Sequence, residues 1–476
     1  MTRDEFQSLY DSGTDNCFLL FQRMEATIAA LTIRVQELED RISRDSHNSS
    51  KPPSSDGMRK TPKSLRQKSD KSSGGQKGHV GTTLCLSDTP NTIVVHTPSH
   101  CQQCGNGLES VASHSFSRRQ VYDLPPLSLV VTEHRTFKKV CPGCQSVNEA
   151  PFPEGVPRSV QYGTRLKAIC VYLQQYQLLP FQRTQELLSD LCGCPISEGT
   201  LANCLITCHE QLADVESRIK RAIHEAPVGH FDETGIRIQK RLHWLHTAST
   251  TSLTFLSTHA KRGKAALDAI GILPNFRGTA IHDAFASYFG YSCSHGLCNA
   301  HLLRELLFFK EQKGYPWAEP FLTLLLCIKE SVQIARSHQN SSLSTTDLTR
   351  FEENYQALLD EGLQMHPEMV PSGKRGRPKQ SPAHNLLMRL TTHRKAVLRF
   401  MYDFRVCFDN NQAERDLRMA KVRQKISGCF RSCDHAQIFC RIRGYISTLR
   451  KQGISVMMAL QRAFQGDPII PSLLTE

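Results

Sequence analysis

No apolar run in this 476-residue chain approaches the ~18 residues that a membrane-spanning helix needs; the longest are short pieces such as 321–328. A helical membrane protein is excluded on that ground. No secretory leader is expected either. Asp4, Glu5 and Asp11 stand ahead of only a brief apolar patch, where a signal peptide carries basic residues and a longer apolar stretch. Tryptophan is scarce, with two residues, and acid is in deficit: 45 Asp and Glu face 58 Lys and Arg, a formal net charge of +13. Fixed cations in excess suit a polyanionic partner, most often nucleic acid, better than they suit a metabolic enzyme of the cytosol. Hydrophobic residues at 39% and charged residues at 22% leave enough apolar matter for real cores, and the length suits about three domains.

Cysteine is abundant, with 18 residues. A long chain without an export signal does not use such a count as a disulfide framework. Most of the cysteines are scattered among apolar neighbours, as at Cys170, Cys204, Cys327 and Cys440, and read as small hydrophobes. Four form two pairs, Cys101-Gln-Gln-Cys104 and Cys141-Pro-Gly-Cys144. Two such knuckles suit tetrahedral Zn²⁺ held by four thiolates. The loop between them is longer than in the commonest zinc ribbons, and the β pattern inside it offers a hairpin to bring the knuckles together. The zinc is expected to be structural, fixing a small fold that has little core of its own.

The chain divides by composition into an α+β protein of several domains. Residues 1–45 are helical: Phe21, Met24, Ile28, Leu31, Val35, Leu38 and Ile42 step by alternating threes and fours, the seam of a coiled coil that pairs two copies. An amphipathic helix packed on its own chain is the plainer reading. Residues 46–82 are rich in Ser, Pro, Gly and Lys with almost no apolar residues, a basic disordered linker or an arm that meets phosphates. Residues 83–155 turn to β, with strands predicted at 91–96 and 127–137, and form the zinc-binding module. Residues 156–225 predict helices at 165–177, 181–191 and 197–218, and the turn at Gly193 and Pro195 gives either a helix-turn-helix DNA-binding segment or a plain bundle. Strands follow at 228–238, 242–249 and 253–259, then a short helix at 263–270 and a strand at 278–283. The chain is mostly helical over 300–403, interrupted at 373–379. Another helix starts near Asn410 or Asn411, and residues 431–476 form a C-terminal helical segment.

Three acids fall at positions fit for chemistry. Asp232 lies within the first of these strands, Asp283 ends the last, and Glu414 opens a helix. Carboxylates converging from two neighbouring strands and a helix hold hard divalent cations through oxygen, and two such ions can activate a nucleophilic oxygen and stabilise the leaving oxygen of a phosphodiester. Taken singly, each has a plainer reading: Asp232 as a polar strand residue, Asp283 as a cap, and Glu414 as the partner of Asn411 in a capping box. His230 and His282 beside the acids read as structural. Glu233 is expected on the face of the strand opposite to Asp232.

From about residue 48 onward the chain resembles the long transposase of the insertion-sequence 66 family. The stretches that carry the likeness are SSKPPSSDGMRK with GGQKGH, the two CxxC pairs, HFDETGIRI, IHDAFASYF, CNAHLLREL, GKRGRPKQS and FDNNQAERDLRMAKVRQKISGCFRS. The resemblance implies a DDE transposase with a ribonuclease-H-like catalytic core over 226–430, interrupted by a large helical insertion near 300–400. It implies Asp232, Asp283 and Glu414 as catalytic triad and ligands of two Mg²⁺ or Mn²⁺ ions, and Cys101, Cys104, Cys141 and Cys144 as ligands of zinc. The implied partners are transposon-end and target DNA, a second copy of the chain, and accessory proteins of the same element, in the nucleoid of a bacterial cytoplasm. Two rival readings are a non-catalytic or domesticated DNA-binding derivative and a structure-specific nuclease on the same fold.

Further candidates lie around this set. Cys298 and His301 have C-x-x-H spacing at a helix start; two ligands alone hold a metal weakly, and the pair is read as organising the junction of core and insertion. Lys374, Arg375 and Arg377 sit in KRGRPK, which reads as a basic loop on phosphate or as a minor-groove peptide. Arg415, Arg418, Lys421, Arg423 and Lys425 follow Glu414 and are expected to meet DNA phosphates along the edge of the site, the plainer reading being a solvated helix face.

Overall fold

The computed structural model describes residues 2–45, 47–49, 84–369 and 380–474. Lys374, Arg375, Arg377 and nearly all of the 46–82 linker lie outside these described residues.

The chain opens with α1 (Arg3–Asp11) and the 30-residue α2 (Thr14–Ser43). No residue of α2 is buried. The seam side chains stand in solvent, from Leu38 at 42% exposed to Ile42 at 80%, so no described residue covers the apolar stripe.

The two CxxC pairs each form a tight turn. Cys101 N–H donates to the Asn106 carbonyl at 2.8 Å and Gly105 N–H to that of Cys101 at 3.0 Å; Cys141 and Gln145 repeat the pattern with Ser146 and Cys141 at 2.9 and 2.8 Å. Gly105 and Gln145 both sit at positive φ, which closes these turns. The second turn joins β1 (Lys138–Val140) to β2 (Val147–Glu149) in an antiparallel hairpin. The strands predicted at 91–96 and 127–137 are not formed. Val94, Val95, Val130 and Val131 are all at least 70% exposed; with solvent on both faces, an apolar run has neither a buried side nor a neighbouring strand to set its register.

A helical layer follows. α3 (Thr164–Val171) runs into a π-helical turn at Tyr172–Tyr176. α4 (Phe181–Cys192) ends on Gly193 in the left-handed conformation, and α5 (Glu198–Gln211) is capped by Ser197, whose Oγ accepts from Thr200 N–H at 3.1 Å. The helix predicted over 197–218 is divided at Leu212, and α6 (Ala213–His224) continues beyond it. Neither Gly nor Pro marks that break.

The central sheet has five strands: β3 (Val228–Ile238), β4 (Arg241–Ser249), β5 (Thr254–His259), β6 (Thr279–His282) and β7 (Ser294–Leu297). Their order is β5-β4-β3-β6-β7. The first three pair antiparallel, while β6 and β7 run parallel to β3. Gln239 and Lys240, both at positive φ, make the two-residue turn between β3 and β4, the primed geometry whose twist matches the strands. α7 (Lys264–Ile270) crosses from β5 to β6. β7, with the sequence SHGL, has no apolar alternation to announce it.

Between β7 and the return to the sheet lie α8 (Asn299–Lys313), α9 (Ala318–Ser337), α10 (Thr345–Met365), α11 (Pro382–Thr392), α12 (Arg394–Val397) and α13 (Arg399–Tyr402). They enclose their own apolar core, with Leu306, Trp317, Phe321, Tyr355 and Leu387 fully buried. Lys313 pairs with Asp40 and Arg44 lies over Phe308 at 4.9 Å, tying the end of α2 to α8. α14 (Asn411–Ser427) then packs on β3 and β4. α15 (Cys433–Lys451) covers β5 closely: a Cβ on Gly444 would stand 3.1 Å from the Thr254 carbonyl. α16 (Val456–Phe464) packs on α3. The C-terminal helices therefore share one core with the 156–225 helices and the sheet, through residues such as Leu201, Leu205, Ile219, Ile442, Ile446 and Leu460. No described helix is long and apolar enough to cross a membrane.

Candidate active site

The parallel pairing of β3 and β6 places two acids side by side. Its last paired residues are His230 and Ile281. Two residues further along each strand stand Asp232 and Asp283, on strands separated by about 4.8 Å. Asp232 is half-buried, and its Oδ1 accepts the Glu233 N–H at 2.8 Å. Asp283 follows the end of β6, where Ala284 turns the chain at φ +70, and its Oδ1 accepts from Phe285 N–H at 3.1 Å. Glu414 lies in the first turn of α14. Its Oε1 is 3.9 Å from His301 Nε2 in the first turn of α8.

Electrostatics links the three. The Asp232 carboxyl is held well above the usual carboxylate range, first by burial and then by the negative charges of Glu233, Asp283 and Glu414. Burial lowers His301, against the pull of Glu414 and Asp283. Among the described residues the three carboxylates do not all lie within 4.8 Å of one another. They share one field rather than one contact point. Such a field, with oxygen donors and unrelieved negative charge, fits hard divalent cations.

Asn410, just ahead of α14, joins the parts. Its Nδ2 donates to the Phe231 carbonyl at 2.8 Å, its Oδ1 receives His230 Nδ1–H at 2.9 Å, and its own N–H points to Cys298 Sγ at 3.2 Å. It is 1% exposed. The N-cap position falls on Asn410 rather than Asn411, its side chain is turned into the core, and α14 has no side-chain cap, so the capping box of Asn411 with Glu414 is not formed. Asp416 secures the helix one turn later, accepting from Ser447 Oγ at 2.6 Å and pairing with Lys451 at 3.0 Å. Burial pushes the Cys298 thiol up to about 12 and lowers His230.

Glu233 is no bystander. It is buried, its Oε1 binds Arg262 Nε at 2.7 Å, and Tyr288 OH donates to its Oε2. Arg262 is stacked over Trp244 and Phe285 at 4.9 and 4.2 Å. Alternation does carry its side chain away from Asp232, but into a second buried network rather than to a solvated face. Burial raises the Glu233 carboxyl, and Asp283 adds to the rise. The dipeptide Asp-Glu signalled the acid pair; nothing near it in sequence signalled Arg262 or Asn410.

The cationic residues after Glu414 divide. Arg415, Arg418 and Lys425 are exposed. Lys421 donates to the Gly235 carbonyl. Arg423 lies 3.8 Å over the Phe430 ring, and burial lowers its guanidinium to about 10; its head is engaged with the core rather than presented to solvent. In the knuckles, the Cys101 thiol is pulled down first by the Cys104 N–H, and that of Cys144 by the Ser146 hydroxyl. Donors aimed at sulfur favour the thiolate that zinc takes. Among the described residues no three of the four Sγ atoms lie within 4.8 Å of one another, and each knuckle is shaped by its own backbone hydrogen bonds.

Three family models match the chain. Residues 159–438, more than half of it, match the Transposase IS66 family. Residues 98–145 match the zinc-finger binding domain of transposase IS66, which spans both CxxC pairs. Residues 5–84 match a family of unknown function. No curated protein matches. The matched span contains the five-stranded sheet, the helical insertion, Asp232, Asp283 and Glu414, and by it this chain belongs to the IS66 family of transposases.

Proposed function

We propose that the protein is a metal-dependent DNA transposase in which Asp232, Asp283 and Glu414 form the catalytic triad of a ribonuclease-H-like core. The observation that carries this reading is the β3–β6 register, which aligns Asp232 with Asp283 while α14 brings Glu414 into the same field. The strand order, three antiparallel followed by two parallel to the first, supports the same core. Asp232 and Asp283 would hold divalent cations, two Mg²⁺ or Mn²⁺, from the sheet side and Glu414 from the helix side; when bound, the cations supply Lewis-acid stabilisation on both sides of the scissile phosphodiester.

The chain's own residues do the remaining work. Asn410 fixes Glu414 against β3, and Arg262, held by two rings, pairs with Glu233, the residue next to Asp232. Arg415, Arg418 and Lys425 offer charge to DNA phosphates. Water cleaves one strand at each transposon end to leave a 3′-OH, and that hydroxyl displaces a 3′-oxygen at a target phosphodiester, so each step breaks one P–O bond and forms one. The zinc module, with Cys101, Cys104, Cys141 and Cys144 as zinc ligands, holds the ends, and α2 pairs two copies.

The test is Mg²⁺-dependent cleavage and strand transfer on end-containing DNA, run beside a gel shift. Asp232→Asn, Asp283→Asn and Glu414→Gln are expected to keep DNA binding and lose both reactions, without additivity, since one missing ligand disables the unit. Full cleavage by any one of them removes that residue from the triad. Cleavage that survives without strand transfer in the unaltered protein makes it a nuclease.

A further inference from the structure

Cys298, His301 and Glu414 turn one ligand atom each toward a common spot: a sulfur, a ring nitrogen and a carboxylate oxygen, all within 4.8 Å of one another. Cys298 precedes α8 and His301 lies in its first turn, so the C-x-x-H spacing puts both donors at one end of a helix. Glu414 arrives from α14 and supplies the third donor that the sequence pair lacks. Two further details concern the same spot. The Cys298 sulfur already accepts a backbone N–H, from Asn410 at 3.2 Å, as a metal-bound thiolate does. The His301 ring stands with Nε2 3.9 Å from Glu414 Oε1, and its Nδ1 is buried with no hydrogen-bond partner among the described residues, a cost that proteins seldom leave uncompensated.

We infer that these three residues form a second divalent-cation site, for a borderline-soft ion of the zinc class. Sulfur, imidazole and one carboxylate are the donors zinc takes, with a fourth position left for water. Mg²⁺ prefers oxygen alone, so the site differs in chemistry from the pair Asp232 and Asp283. Binding forms the metal–sulfur bond and releases the Cys298 proton to solvent. Glu414 belongs to both sets of donors. On the reading of Glu414 as a catalytic ligand, a zinc ion here withdraws it from the catalytic cations, so micromolar zinc opposes Mg²⁺-dependent cleavage.

The experiment is a Co²⁺ titration of the full chain isolated with its knuckle zinc in place. One additional equivalent of Co²⁺ is expected to bring a thiolate-to-cobalt charge-transfer band and tetrahedral ligand-field absorption. Cys298→Ser removes the charge-transfer band, and Cys327→Ser, an exposed thiol on α9, leaves it. Should Cys298→Ser fail to fold, His301→Ala retains the thiol and weakens Co²⁺ binding about tenfold or more. No band beyond the knuckles, or one unchanged in Cys298→Ser and His301→Ala, overturns the site. Zinc inhibition of cleavage is measured separately, with the inhibitory concentration rising about tenfold or more in His301→Ala. A cobalt band with no zinc inhibition upholds the site and removes Glu414 from the catalytic carboxylates, so the two readings fail separately.

Discussion

His230 and Asn410 are 180 residues apart in the chain and meet in a 2.9 Å hydrogen bond inside the protein. The bond, with the one from Asn410 to the Phe231 carbonyl, fastens the start of α14 to β3. Replacing Asn410 by Ala leaves a buried imidazole N–H and a buried carbonyl unpaired. That costs about 2 kcal/mol or more, read as a lower denaturant midpoint. Cleavage falls further than DNA binding, because Glu414 loses its fixed position while the zinc module is untouched. Equal losses of cleavage and binding make Asn410 a general stability residue.

Asp232 gives a stability prediction of its own. Its folded-state pKa is raised, so the folded protein holds the proton more tightly than the unfolded one. The contribution to stability is full below the unfolded value near 4 and is lost as pH climbs through the folded value. At pH 7, without Mg²⁺ or Mn²⁺, Asp232→Asn therefore stabilises the protein. Adding Mn²⁺ reverses the order by stabilising only the unaltered chain. Urea titrations at pH 5 and pH 7 measure both effects, and an Asp232→Asn protein that is less stable at pH 7 contradicts the account.

Glu233 is expected to matter to the fold and indirectly to the reaction. Glu233→Gln keeps an acceptor for Tyr288 but leaves Arg262 without its ion pair. The side chain of Glu233 is 1% exposed and that of Arg262 39%, so screening reduces the loss to about 1–2 kcal/mol, below that of a fully buried pair. Cleavage drops several-fold as Arg262 loses its fixed orientation. Thermal unfolding and single-turnover rates decide it; full activity with full stability returns Glu233 to a spectator.

Zinc should be separable from the catalytic core. Cys101→Ser or Cys141→Ser lowers bound zinc and abolishes recognition of transposon ends, while the circular dichroism of the remaining helices is kept. Elemental analysis of freshly reduced protein supplies the zinc count, and a chain that purifies without zinc refutes the assignment.

The seam of α2 is the place to test self-association. Leu31→Glu with Leu38→Glu puts charge on a stripe now exposed, and should convert an oligomer to a monomer in light scattering. An unchanged mass would mean that α2 does not pair copies.

Much of the sheet was legible because β3, β4 and β5 are long enough to show their β-type residues, with Asp232 inside the first of them and Asp283 just beyond β6. Legibility failed where structure depends on partners remote in sequence. β7 is a strand because β6 lies beside it, not because SHGL favours one. Residues 91–96 have the composition of a strand and no neighbour to make them one. Arg423 and Arg418 are both basic residues of α14, yet only the fold tells that the first stacks on Phe430. Asn410 reads only as a possible start of a helix and acts as a tie between three segments. The three acids stand out in sequence as an order along the chain, whereas the nearness of Glu414 to Cys298 and His301 is a product of the folded insertion.

The insertion also sets a schedule. β3, β6 and β7, which carry Asp232 and Asp283 to neighbouring positions, leave the ribosome first, and α8 to α13 must be made before Asn410 and Glu414 emerge. Synthesis and domain folding proceed from the N-terminus onward, so the nascent chain carries its knuckles and two acids while it still lacks the third. On the proposed function, a chain truncated within the insertion keeps the knuckles but lacks Glu414 together with α15 and α16, whose Ile442, Ile446 and Leu460 complete the core beneath the sheet.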